Sequence, residues 1–273
     1  MPIDNERLIN SKCGSVSNIK IYYCNVQSLR NKLSELHDIL YTSDYNIVAL
    51  TETWLIPQLT DGLLDPLGRF CIYRRDRSNR AGGGVCLIIS NILVSSNIAI
   101  DYTVFQHVEL IGSIAKIGNL HLSIFCYYSA PNTTAVNFKH SLDCLDSILT
   151  SCAIKTVLLL GDFNVPAVSW EDPVISSHTE GSKVFELIAF SRRFDLDQLN
   201  YFPTRGESVL DLVFTNDKLI LSDLIVGPPF GSSDHDSLFL TLLCNNDSVK
   251  STTVDNNNNY GPSVAKLNWK LID

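Results

Sequence analysis

The stretch VLLLGDFN, residues 157–164, sets the reading of the whole chain. Four apolar residues in a row suit an inner strand covered on both faces, since a half-exposed strand would alternate. The run then meets a glycine, a carboxylate and an amide, so the strand presents Asp162 and Asn164 at its tip. Read alone, GDFN is also an ordinary Asx-type turn, in which a short polar side chain bonds nearby backbone.

Other apolar runs end alike. IKIYYCN (19–25) stops at Asn25, NIVALTE (46–52) at Glu52 and LHLSIFCYY (120–128) at Tyr128. Asp211 precedes LVF in VLDLVFT (209–215), and SSDH (232–235) precedes SLFLTLL. Each has a plain reading: Asn25 as a turn residue, Glu52 as a solvated strand end, Tyr128 as a half-buried aromatic, SSDH as a turn with a surface histidine. Taken together they place polar groups at many strand ends, where sites are usually built on a rigid scaffold.

Between the strands lie helical patterns. SLRNKLSELHDIL (28–40) has apolar residues at 29, 33, 36, 39 and 40, with Ser28 expected to cap the first turn. Residues 133–151 and SKVFELIAFSRRF (182–194) are expected helices as well. GVCLIIS (84–90) reads as a strand after a glycine turn, and Gly118-Asn119 as a tight hairpin turn between two strands. Hairpins are too frequent for a purely parallel sheet. Two packed sheets with helices outside fit better than a doubly wound fold.

The totals allow one large α/β domain or two small ones. The chain has 273 residues, 45% hydrophobic and 18% charged, with a net charge of −8. That excludes a globally basic nucleic-acid binder. The eight cysteines show no C-x-x-C pair and no zinc-finger spacing to the six histidines. They read as buried, reduced thiols of an intracellular protein. The N-terminus, MPIDNERLIN, is too polar for a signal peptide, and no apolar run approaches the ~20 residues of a membrane helix. No membrane partner is expected.

The acidic inventory carries the chemistry. Glu52, Asp162, Asp211 and Asp234 are too many carboxylates for one buried cluster unless a cation or proton offsets them. Oxygen ligands without cysteine suit Mg²⁺ or Mn²⁺ rather than zinc. His235 beside Asp234 suits an oriented acid-base or electrophilic group, and the amides of Asn25 and Asn164 suit phosphate or a nucleophilic water. The set fits metal-assisted phosphodiester cleavage. Walker-type, G-x-S-x-G and H-E-x-x-H motifs are missing from the sequence. Against the acidic background stands GRFCIYRRDRSNRAGGG (68–84), in which Arg74, Arg75, Arg77 and Arg80 make a local basic patch. It reads as a nucleic-acid contact, with a solvated loop as the alternative.

The ordered series CN (24–25), TETWL (51–55), GGGV (82–85), YYSAP (127–131), GDFN (161–164), LDLVF (210–214) and SDH (233–235) resembles the endonuclease/exonuclease/phosphatase superfamily. The likeness covers roughly residues 19–244. SLRNKLSELHDIL, ALTETWL, PTRGESVLDLVFTN and SSDHDSL resemble more narrowly the endonuclease domain of non-LTR (LINE-type) retrotransposons. The resemblance implies a DNase I-like, four-layered α/β sandwich of two mixed β-sheets flanked by helices. It implies Glu52 as principal metal ligand, with Asn25 near it and Asp234 as a further ligand or His-positioning group. Asp162 would orient and deprotonate water, Asn164 would hold phosphate, and Asp211 would orient His235 against the scissile phosphate. Tyr128 would hydrogen-bond the phosphate or leaving group, and Thr204 and Ser208 would contact the DNA backbone. YYSAP lacks the arginine and second proline that often follow this tyrosine, which removes one DNA contact.

The implied activity is Mg²⁺-dependent nicking of double-stranded DNA, leaving a 3′-hydroxyl for a reverse transcriptase, with the nucleus as the place of action. Residues 1–18 read as a lead-in, 19–244 as the enzyme domain and 245–273 as a polar linker or tail. LNWKLID (267–273) resembles the linker toward a reverse transcriptase, and no Y/F-x-D-D motif follows. The chain thus reads as an endonuclease domain alone. The alternatives are an inositol-lipid or sphingomyelin phosphoesterase, an RNA 3′-exonuclease, or a catalytically silent nucleic-acid-binding module. A lipid-directed enzyme would need an apolar docking loop, for which 55–67 is the candidate.

Overall fold

The computed structural model describes residues 18–77, 81–151, 155–168, 170 and 179–243, and the backbone of 263–266. Arg80, the lead-in and most of the expected tail lie outside the described residues.

Two mixed sheets pack face to face. The first contains β1 (Asn18–Asn25), β2 (Ile47–Thr51), β3 (Phe70–Arg75), β4 (Val85–Ser90), β11 (Leu221–Pro229), β12 (Asp236–Leu243) and β13 (Ser263–Lys266), in the order β13-β11-β12-β1-β2-β4-β3. The second contains β5 (Val94–Asn97), β6 (Glu109–Ile117), β7 (Leu120–Tyr128), β8 (Thr156–Asp162), β9 (Asp197–Gln198) and β10 (Asp211–Thr215), in the order β5-β6-β7-β8-β10-β9. The pairs β1/β2 and β7/β8 are parallel, and the hairpin β6/β7 turns at Gly118-Asn119 as expected. Strand β13, from the stretch read as a tail, lies parallel to β11.

The alternation of side chains explains the layers. On β1, Ile19, Ile21 and Tyr23 enter the core between the sheets, while Tyr22 and Cys24 face outward under helix α1 (Leu33–Thr42), which buries Leu36 and Leu40 there. On β8, Leu158 and Leu160 face the inter-sheet core. Val157 and Leu159 face α3 (Ala135–Ser151) and α4 (Lys183–Arg193), which bury Phe138, Leu142, Leu145, Leu187 and Ile188 on that side. Both faces of β8 are therefore covered, which is why VLLL is apolar throughout. The short helix α2 (Asp61–Leu64) closes the outer layer of the first sheet through Leu64. No described helix is long and apolar enough to cross a membrane.

Two expectations change. Ser28 does not cap α1: the helix starts at Leu33, after Lys32, with no side-chain cap. Instead Gln27 and Ser28 take left-handed backbone, φ 42° and 82°, and the Ser28 N–H donates to the Glu52 carbonyl at 2.8 Å. The chain leaves β1 through a site loop before it can coil. The basic stretch 70–75 is also no loop but the edge strand β3, paired with β4.

Candidate active site

Strand register brings the polar tips together. In the second sheet Asp162 ends β8 opposite Tyr128 of β7 on one side and Asp211 of β10 on the other. In the first, Asn25 ends β1 opposite Thr51, so Glu52 follows directly beside it, and His235 precedes β12 on the far side of β1. One end of the sandwich thus collects Asn25, Glu52, Tyr128, Asp162, Asn164, Asp211 and His235.

The contacts form one network. Asn25 Nδ2 donates to Glu52 Oε1 at 3.1 Å and to Asp162 Oδ2 at 2.8 Å, so one buried amide bridges two carboxylates from different sheets. Tyr128 Oη donates to the same Glu52 Oε1 at 2.9 Å. Asp162 Oδ1 accepts the Asn164 N–H at 3.0 Å, and Asn164 Nδ2 donates to the Ser129 carbonyl at 2.8 Å. His235 Nδ1 lies 2.7 Å from Asp211 Oδ2. Its Nε2 stands 3.9 Å from Asp162 Oδ2 and 3.8 Å from Asp234 Oδ1.

Local backbone serves these positions. Glu52, Trp54 and Asn164 adopt left-handed φ values of 51°, 52° and 48°, conformations that side chains other than glycine seldom take and that gather at functional sites. The loop after β2 is held by Thr53 and Trp54 N–H groups donating to the Gly84 and Gly83 carbonyls at 3.2 and 2.8 Å. Gly83 and Gly84 have φ of 68° and 88°, and a Cβ on Gly83 would strike Arg77 and Glu109 at 2.3 Å. The triple glycine is thus a turn fitted against the site, not a phosphate loop.

Burial sets the protonation behaviour. Asp162 is fully buried, and desolvation together with the Asp211 carboxylate holds its pKa well above the usual carboxylate value. Burial pulls the His235 imidazole down, but the hydrogen bond and charge of Asp211, then Asp162, outweigh it and raise the pKa to about 9. The imidazolium form therefore prevails at neutral pH. Burial and Glu52 push the Tyr128 phenol upward, so it stays a donor.

Several residues extend the set read from the sequence. Tyr23 Oη donates to Asp211 Oδ1 at 2.6 Å, fixing the carboxylate whose other oxygen meets His235. Ser233 Oγ donates to the Asn25 carbonyl at 2.6 Å and accepts the His235 N–H at 3.2 Å. Trp54 Nε1 reaches Glu52 Oε2 at 3.2 Å. The neighbouring motifs IYYCN, SSDH and TETWL contained all three, but nothing in their spacing marks a hydroxyl or indole as a site group.

The other candidates sit differently. Asp234 is 44% exposed in its side chain and pairs with Arg205 at 2.6 Å. Thr204 is buried and its hydroxyl accepts the Asp211 N–H at 3.3 Å. Ser208 closes the same turn by backbone bonds to Thr204 and Arg205. Arg74 is turned inward, to Asp76 at 2.5 Å, Asp61 at 3.1 Å and the Ile56 and Leu59 carbonyls. Arg77 pairs with Glu109 and lies over the Tyr128 ring. Arg75 stacks 4.0 Å over Tyr102 and donates to the Gln106 carbonyl at 3.2 Å.

The donor set fits a hard divalent cation. Glu52 and Asp162 offer only oxygen ligands there, while Asn25 turns its N–H groups to both and its Oδ1 accepts the Gln27 N–H at 3.2 Å. Asp162, Asp211 and His235 also lie close enough to hold an ion, their ligand atoms all within 4.8 Å. There, however, a cation would compete with the proton on His235 and with its bond to Asp211.

Residues 122–239 match the family model described as "Endonuclease-reverse transcriptase". No curated protein matches the sequence. Among solved structures, the endonuclease domain of TRAS1, a telomere-specific non-LTR retrotransposon, superposes with a TM-score of 0.64 at 13% identity, covering 83% of this chain and 98% of that one. The 3′-5′ exonuclease NExo from Neisseria meningitidis gives 0.63 at 15% identity, covering 83% and 100%. An AP endonuclease from Archaeoglobus fulgidus gives 0.59 at 14% identity, covering 82% and 99%. The chain has the fold of the endonuclease/exonuclease/phosphatase superfamily, and within it resembles the endonuclease domains of non-LTR retrotransposons.

Proposed function

We propose that the protein is a metal-dependent endonuclease that nicks double-stranded DNA and leaves a 3′-hydroxyl, the end a reverse transcriptase of the same element would extend. The observation that carries the reading is the amide bridge from Asn25 to Glu52 and Asp162, set beside the His235–Asp211 pair. A buried carboxylate, a half-buried one and an imidazolium around one small space match the needs of phosphodiester hydrolysis: a base for water, a charge sink for the phosphate, and a cation site.

Glu52 would hold the cation, with Asp162 the nearest further carboxylate, while Asn25, expected from the sequence as a ligand, would instead position both acids through its N–H groups; Mg²⁺ is proposed, with Mn²⁺ as a substitute. When bound, the ion supplies Lewis-acid stabilisation of charge on the phosphate and leaving oxygens. Asp162, made more basic by burial, takes the proton of the attacking water, which the Asn25 amide keeps aligned. His235 Nε2–H donates to a non-bridging phosphate oxygen, while Asp211, itself held by Tyr23, keeps the ring turned. Tyr128 Oη donates toward the phosphate or leaving oxygen once Glu52 is otherwise engaged. Asn164 and Ser208 are proposed phosphate-side contacts, and a reverse transcriptase domain a proposed partner; Thr204, buried with its hydroxyl on the Asp211 N–H, holds that strand end instead.

The test is nicking of supercoiled plasmid with and without Mg²⁺, for the wild type and for Asp162→Asn and His235→Ala. Mg²⁺-dependent nicking that both variants lose supports the reading. Unchanged nicking in both would sink it.

A further inference from the structure

Lys32 carries its charge where each local rule disfavours it. It is the cap residue of α1, a position that favours Ser, Asp or Asn, and it sets a cation at the positive end of that helix. Its side chain is buried and makes no ion pair among the described residues, although lysine is seldom buried unless paired. Burial holds its pKa below the ordinary lysine value, and the charges of Glu35 and Asp234, which favour the ammonium, do not make this up.

What the ammonium holds is the loop behind Asn25. Lys32 Nζ donates to the Val26 carbonyl at 2.7 Å and reaches the Gln27 carbonyl at 3.5 Å. Gln27 has left-handed backbone, φ 42°, and its N–H turns back onto Asn25 Oδ1 at 3.2 Å. With Oδ1 held there, Nδ2 is the end of the amide that meets Glu52 and Asp162. The Gln27 side chain crosses to a second loop, where its Oε1 accepts the Asp234 N–H at 3.3 Å. The lysine lies against that second loop as well. Its ammonium is 5.9 Å from the centre of the Phe230 ring, and its Cδ is 3.3 Å from the place of a Cβ on Gly231. One side chain therefore joins the loop after β1, which orients Asn25, to the loop before β12, which carries His235.

We infer that Lys32 is a positioning residue for the site: by drawing in the Val26 and Gln27 carbonyls it holds Gln27 left-handed, and so keeps the Asn25 amide turned with its N–H groups toward Glu52 and Asp162. The inference rests on the hydrolytic reading above and adds the group that sets its central bridge. A loosened amide no longer keeps Asp162 in line with the attacking water, and misplacement by about 1 Å can cost roughly 10²-fold in rate.

Lys32→Met tests this, because it keeps the stem and removes the donors. In chelator, the side-chain amide signals of Asn25 in an NMR spectrum should shift and exchange faster in Lys32→Met than in the wild type, while those of Asn164 stay still. Unmoved Asn25 signals overturn the inference, whatever the protein cleaves. In plasmid nicking with Mg²⁺, at a temperature where the variant is folded, kcat should fall roughly tenfold and KM should stay within about twofold. Added to Asn25→Ala, Lys32→Met should cost nothing further in kcat; additive losses would mean that the lysine acts elsewhere and would overturn its role on the amide. If Lys32→Met does not fold, the wild type decides. Its Lys32 ammonium protons should exchange slowly and show scalar coupling across the hydrogen bond to the Val26 carbonyl carbon, and an ammonium without that coupling overturns the inference. A wild type that nicks no DNA counts against the function and leaves the NMR results standing.

Discussion

Asn25 and Asp162 are 137 residues apart and stand on different sheets, yet a 2.8 Å hydrogen bond joins them inside the protein. The same amide nitrogen also serves Glu52, so it separates two carboxylates that would otherwise face each other. Replacing Asn25 by Ala removes the bridge and leaves both acids to repel. The expected loss in kcat/KM for plasmid nicking is about 10²–10³-fold, the scale for deleting a buried donor that acts on developing charge. Circular dichroism should show an intact fold. Near-normal nicking by Asn25→Ala would remove the bridge from the mechanism.

His235 owes its raised pKa to Asp211, so Asp211→Asn should lower it while sparing the ring's hydrogen bond. The imidazolium would then deprotonate nearer its ordinary 6.5 instead of about 9. Activity of the variant should fall on the alkaline side at lower pH than in the wild type, with a loss of about 10²-fold or more at neutral pH. A pH profile of kcat/KM and a histidine NMR titration check this together. An unmoved alkaline limb would mean that His235 is not the titrating group.

Stability should depend on pH in a direction opposite to the usual salt-bridged carboxylate. His235 and Asp162 both bind protons more tightly folded than unfolded, because their pKa values are raised. The contribution from His235 is complete below about 6.5 and is lost as pH rises through about 9, while Asp162 acts in the same sense. In chelator, the urea midpoint should therefore drop between about pH 6 and about pH 9.5. Mg²⁺ should recover more of the midpoint at the alkaline end, where it replaces lost protons. A flat profile in chelator would contradict the burial account.

The site's main groups were legible because each flanks an apolar run that reads as a strand, Asn25, Glu52, Tyr128 and Asp162 at its end and Asp211 and His235 at its start. VLLLGDFN, NIVALTE and IKIYYCN announce both the strand and its polar tip. What stayed hidden depends on partners far along the chain. The basic stretch around Arg74 reads as a free patch, but Asp61, Asp76 and Glu109 take up Arg74 and Arg77, and only the fold brings Glu109 there. Nothing in IKIYYCN sets Tyr23 apart as a site residue; its hydroxyl meets Asp211 through the packing of two sheets. Strand β11 escaped notice because Asp223, Gly227 and two prolines break its pattern, and β3 because its residues are all half-buried and show no alternation. Ser28 does not cap α1 because its backbone N–H is bonded to the Glu52 carbonyl and the helix starts only at Leu33.

Gly161, the glycine of GDFN, stands next to Asp162 inside β8, where it pairs with both β7 and β10. A Cβ there would lie 2.2 Å from the Tyr127 carbonyl oxygen and 3.0 Å from its carbon. Both are backbone atoms of the neighbouring strand, so no side-chain rotation relieves the contact. Gly161→Ala must push β7 from β8 at the point where Tyr128 and Asp162 are opposite each other. The expected cost is about 1–3 kcal/mol of stability, the range for overpacking an interior. Activity should fall further than stability explains, because the shift separates Tyr128 and Ser129 from Asp162 and Asn164. Thermal unfolding and nicking at a temperature where the variant stays folded separate the two effects. A variant of normal stability would show that the strands can part without cost, and that the glycine is not what lets the two tips meet.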